Sequence, residues 1–145
     1  MTTYYPSDAA IAALARGFLD CALPKAEWTH AAHFATTLWL MRHAPECDLS
    51  RDLPGLIRAY NESVGGVNSD TAGYHETITQ ASIRAARAFL ALRPVDEPLH
   101  DMVDVLMGGE LGGSEWPLAY WSRAHLLAVP ARRHWVEPDL QPLPF

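Results

Sequence analysis

Trp28-Thr29-His30-Ala31-Ala32-His33-Phe34-Ala35-Thr36-Thr37-Leu38-Trp39-Leu40-Met41-Arg42 contains no formal charge before its last residue and no glycine or proline. It is apolar around nearly its whole circumference, as expected of a helix packed by neighbours on several sides. The uncharged run is too short to cross a bilayer and carries two histidines, so the reading is a central, buried helix over about residues 28–43. At helical periodicity His30 and His33 lie about 60° apart on one face and one turn along from each other. Both imidazoles can therefore address one point. Thr29 is a candidate N-cap, with Pro24 at a first-turn position as the alternative start, and His43-Ala44-Pro45 ends the segment.

Working outward, Ser7 is a plausible cap for a first amphipathic helix bearing Ile11, Leu14, Phe18 and Ala22. After the central helix, Ser50 or Asp52 can cap a third, with Pro54 in its first turn and Leu56, Ile57, Tyr60 and Val64 as its apolar stripe. Residues 65–73, Gly-Gly-Val-Asn-Ser-Asp-Thr-Ala-Gly, form a loop by composition; without a Gly-Lys-Ser/Thr ending they are not a phosphate loop. A long helix is predicted over about 74–92, and a fifth after Pro98 with Leu99, Met102, Val103, Leu106 and Met107 inward. Short helical pieces follow over 116–121, 123–127 and from Pro130. The end, from Glu137 to Phe145, is Pro-rich and reads as extended. No strand pattern of useful length occurs. The fold expected is all-α, one domain over 1–145, a compact bundle of five to six helices.

Composition narrows the function classes. Five Trp, five Tyr and four Phe in 145 residues, with 49% hydrophobic residues, exclude wholesale disorder. The net charge is −6 and Arg132-Arg133 is the only adjacent basic pair. Nucleic acid would require clustered cations, so it is not an expected partner. Cys21 and Cys47 have neither CxxC nor zinc-finger spacing and read as free thiols of a reducing cytosol. The stretch Met1 to Asp8 lacks the basic and apolar regions of a signal peptide; a cytoplasmic protein without membrane attachment is expected.

Chemistry concentrates in two segments. His30 and His33 open the second helix, and Gly73-Tyr74-His75-Glu76-Thr77 opens the fourth. If those starts are neighbours, His30, His33 and His75 offer three nitrogens to a divalent transition metal (Zn, Fe, Ni or Cu), with an open position for a small polar molecule. Such an ion would polarise a substrate oxygen or acidify bound water, Glu76 and Tyr74 serving as catalytic groups and Asn61, Asn68 and Thr77 as ligand-binding ones. On a continuous helix Glu76 points about 100° away from His75, so the two serve one centre only at a capped terminus. The spacing is neither HExxH nor that of the zinc deaminases. A second reading is a non-catalytic pocket in which neutral imidazoles and Tyr74 hydrogen-bond a small anionic or polar ligand. A third makes the cluster structural and the protein a homodimer or scaffold, with Trp116, Tyr120 and Trp121 burying a partner face. His100, His125 and His134 sit beside charges on amphipathic or terminal segments and are not site candidates.

Three motifs carry a resemblance: Trp28-Thr29-His30 with His33, Gly73-Tyr74-His75-Glu76-Thr77-Ile78-Thr79, and Trp135-Val136-Glu137-Pro138-Asp139-Leu140. With Asn61 and Asn68 ahead of the second, the chain resembles a family of small bacterial helical proteins that share them in this order. The resemblance implies that both histidine segments and the C-terminal tail belong to one architecture, and implies no activity, substrate or cofactor. By class alone the chain is also similar to helical bundles that hold a metal between histidines, such as the DinB-like proteins, whose His-x-x-x-His pair is absent here.

Overall fold

Thr29 decides where the central helix begins: its hydroxyl accepts the amide of Ala32 at 3.2 Å, and helical geometry starts at His30. Pro24 instead opens a single 3₁₀ turn over Lys25–Glu27. The computed structural model describes residues 2–145; Met1, the first residue of the stretch read above for export signals, lies outside them. Among the described residues there are seven α-helices and no strand: α1 (Asp8–Leu19), α2 (His30–His43), α3 (Leu49–Ser63), α4 (Glu76–Ala91), α5 (Leu99–Met107) and the one-turn α6 (Arg123–Leu126) and α7 (Val129–Arg133). The long helices stand where periodicity placed them. The excess over five to six comes from the short pieces near the C-terminus.

Helix α2 packs on α1, α4 and α5. Ala31, Ala32 and Ala35 let those neighbours approach closely, while Phe34, Leu38 and Leu40 fill the space between them, all buried. Thr37 returns its hydroxyl to the carbonyl of His33 at 2.7 Å, which lets a polar residue sit at a buried position inside a helix.

Helix α3 starts earlier than Ser50 or Asp52 would have it. Asp48 is the cap, accepting from the Arg51 amide, so Pro54 lies inside the helix. A proline there cannot bond the carbonyl four residues back, that of Ser50. Gln80 of α4 supplies the missing donor, its Nε2 2.9 Å from the Ser50 oxygen. The defect in one helix thus becomes a link to the next.

Asp8 joins α1 to α5. It stands in the first turn of α1 and its carboxylate accepts the amides of Leu99 and His100 at 3.1 and 2.8 Å, capping a helix whose own preceding residue, Pro98, has no side-chain donor or acceptor. The His100 ring meets the same carboxylate at 2.6 Å.

Trp116, Tyr120 and Trp121 do not form a partner face. They are 5%, 5% and 0% exposed and belong to the core of this chain. The C-terminal residues close over them: the amide of Leu140 bonds the Tyr120 carbonyl, the Trp121 indole N–H bonds the Val136 carbonyl, and the Phe145 ring lies 5.9 Å from that of Trp116. Both cysteines are free thiols. Among the described residues no helix is long and apolar enough to cross a membrane.

Candidate functional site: a cavity between two helix starts

A cavity of about 620 Å³ lies between the starts of α2 and α4, α3 and the loop 65–73. His30, His33, Asn61, Tyr74 and His75 all line it, so the two histidine segments do share one space. Its walls are mainly apolar, with Phe34, Leu53, Ile57, Ile78, Ile83 and Trp116 contributing, and its size suits an organic ligand. Lys25, His33, Val67, Ala72, Gly73 and Ser114 combine a place in the lining with exposure to solvent and therefore mark the mouth.

The histidines divide by their bonds. His75 is the N-cap of α4: Nδ1 accepts the Ile78 amide at 3.2 Å and Nε2–H donates to the Leu126 carbonyl at 2.8 Å. This fixes a neutral imidazole with both nitrogens engaged. Burial holds its pKa below the ordinary value. As a metal ligand it would have to surrender its cap or its bond to α6, so the three-nitrogen set is not assembled. Among the described residues no three His, Cys, Asp or Glu side chains are grouped to hold a metal ion. The ring of His30 meets the Leu111 carbonyl at 2.7 Å and the edge of Phe34.

His33 is different. Its ring stacks on Trp28, centroids 4.1 Å apart, and makes no hydrogen bond with any described residue. Much of its surface is open, while protein packed around the ring, the Trp28 indole foremost, desolvates it. This desolvation, with a smaller contribution from the His30 imidazole, pushes its pKa down to about 4. At neutral pH the cavity presents one uncharged imidazole with donor and acceptor unused.

The remaining candidates are engaged elsewhere. Asn68 uses its whole amide within its own loop and α3. Its Oδ1 accepts from Asn61 at 3.1 Å and from the Tyr74 amide at 3.0 Å, and its Nδ2 donates to the Arg58 carbonyl and Glu62. It shapes the wall without lining the cavity. Thr77 is fully buried, donates to the His134 carbonyl and accepts the Val136 amide; it fastens the C-terminal segment and is not a ligand group. Glu76 is outside the lining and accepts the Tyr74 hydroxyl at 2.5 Å; burial first, and this bond second, raise the Tyr74 pKa well above the ordinary phenol value. Arg58 covers the Tyr74 ring at 4.3 Å.

Two features went unread in the sequence. Lys25 is the only lysine in the chain; a lone lysine among ten arginines was visible and carried the signal. The loop 65–73 is held by Arg132, bonded to the Gly73 carbonyl at 2.9 Å, and by Arg133, paired with Asp70. That adjacent basic pair closes a wall of the cavity. No protein-family model matches this chain, no curated protein is detectably similar to it, and no solved structure resembles it closely enough to count as a match.

Proposed function

We propose that this chain is a small-molecule-binding protein of the cytoplasm, taking one organic ligand with a polar group in the cavity between the starts of α2 and α4. The observation that carries the reading is His33, a neutral imidazole with no internal partner on the wall of a 620 Å³ apolar cavity. An imidazole whose two nitrogens have no partner within the protein is free to bond a ligand that enters the cavity. Asn61 and Tyr74 add polar lining from α3 and from the residue before the α4 cap.

A ligand-observed NMR screen of a fragment library tests it. Hits are expected whose signals disappear in Ser82→Phe, which fills the cavity from α4, while the helical circular dichroism is unchanged. A blank screen, or hits indifferent to Ser82→Phe, would overturn the reading.

One observation favours a second reading, a metal-dependent enzyme. His30 and His33 both line the cavity and their imidazoles feel each other electrostatically, so the two could address one cation. Tyr74 would be the group through which Glu76 exchanges a proton with the substrate. Untagged protein incubated with Zn, Fe, Ni and Cu should then retain stoichiometric metal, lost in His33→Ala. Less than about a tenth of an equivalent removes this reading, given the affinities of built sites.

A further inference from the structure

The cavity lining contains no aspartate or glutamate, although the chain carries 17 acidic residues against 11 basic ones. Its one charged member is Lys25. Lys25 is exposed at the mouth and takes part in no ion pair among the described residues, whereas Arg51, Arg93, Arg123 and Arg133 are all paired. Lys25 and His33 are both tied to Trp28, which lines the cavity with them: its amide bonds the Lys25 carbonyl at 3.1 Å, and its ring stacks on His33. The lining also includes the apolar side chains of Ile57, Ile78 and Ile83. Two further cations lie behind the lining, Arg58 on the Tyr74 ring and Arg132 on the Gly73 carbonyl. The nearby carboxylates are Glu27, exposed beside Lys25 in the same 3₁₀ turn, Glu76, held by the Tyr74 hydroxyl, Glu62, held by Asn68, and Glu115, between the lining residues Ser114 and Trp116 and paired with Arg123.

A mainly apolar cavity lined by one ammonium outside any ion pair and one imidazole without a hydrogen bond, and by no acid, discriminates by charge as well as by shape. A carboxylate gains both an ion pair and a hydrogen bond there. An amide of the same shape keeps the hydrogen bond and loses the ion pair. An ammonium head would meet Lys25 with no carboxylate in the lining to pair with.

We infer that the ligand is an amphiphilic monoanion, an aryl or alkyl carboxylate whose head is held by Lys25 and His33 and whose body lies against the isoleucines. This rests on the cavity being a ligand site and specifies the class of ligand.

The test is isothermal titration of the full chain with three compounds that share one body: 4-phenylbutyrate, its primary amide, and 4-phenylbutylamine. The acid is expected to bind at least about tenfold more tightly than the amide, and the amine more weakly still, with the acid's advantage shrinking as salt rises because the ammonium is exposed. Lys25→Gln, a surface change that leaves the fold intact, should weaken the acid about fivefold or more and leave the amide unaltered. Equal binding of acid and amide, or equal loss of both in Lys25→Gln, would overturn the charge assignment while the cavity reading survives. No binding by any of the three also overturns it, and the fragment screen then decides separately whether the cavity binds anything.

Discussion

The imidazole of His33 lies over the indole of Trp28 with ring centroids 4.1 Å apart and planes 29° from parallel. The same indole stacks on Phe18 at 4.4 Å, so the polar group that faces the cavity is continuous with the aromatic core of α1 and α2. His33→Phe keeps the stacking and removes the nitrogens. At pH 7 its stability by urea denaturation should stay within about 1 kcal/mol of the parent, while binding of 4-phenylbutyrate falls at least about tenfold.

Acid should weaken the fold through two histidines. His33 and His75 both have pKa values below the unfolded value of 6.5, so the unfolded chain binds more protons and stability drops as pH falls from about 6.5 towards 4. Each contributes at most about 1.4 kcal/mol per pH unit, and His33 less, because its open face is wetted by the cavity. His33→Phe should flatten the slope of stability against pH over that window; an unchanged slope would show that His33 is not the group responsible.

His100 works in the opposite direction. Its bond to Asp8 raises its pKa above 6.5, so the contribution is complete below pH 6.5 and is lost as pH rises through the raised value. In His100→Gln the stability deficit should therefore be larger at pH 6 than at pH 9. Equal deficits at both would mean the ring acts only by packing.

Cys21 ends α1 in the left-handed region at φ +54°, with the amides of Ala22 and Leu23 bonded to the Gly17 carbonyl. Glycine adopts that conformation without steric cost. Cys21→Gly should stabilise by about 0.5–1 kcal/mol, a melting-temperature rise of about 1–4 °C. A fall would count against this cap geometry.

Thr77→Val keeps the shape of a buried residue and strips the partner from the His134 carbonyl and the Val136 amide. A loss of about 1–3 kcal/mol is expected, with the affinity for 4-phenylbutyrate unaffected once the protein is folded. Reduced affinity in the folded variant would return Thr77 to the binding site.

The helices were legible because burial writes itself as period: Ile11, Leu14 and Phe18 in α1, or Leu99, Met102, Val103 and Leu106 in α5, repeat as one buried face must. The start of α3 was not, since Ser50, Asp52 and Asp48 are all good caps and local sequence does not rank them. What ranks them is Gln80, 26 or more residues downstream, which makes an internal Pro54 tolerable. The site followed the same division. That His30 and His33 share a face is helical geometry, readable from spacing. That Thr77 and Asn68 are engaged while His33 is free depends on hydrogen-bond partners tens of residues away or across a loop, and spacing within a motif holds no record of them. Trp116, Tyr120 and Trp121 were misread as a surface because three aromatics on a short segment look alike whether a core or a partner covers them.

Lys25 gives the cavity mouth a chemical singularity. It holds the only side-chain amine in the molecule, so any reagent or modification directed at lysine ε-amines, whether an active ester, a reducing sugar or an acyl donor, has one place to go. Its reactivity is a built-in gauge of occupancy: a guest seated against it shields it, and acylation of it discharges the entrance.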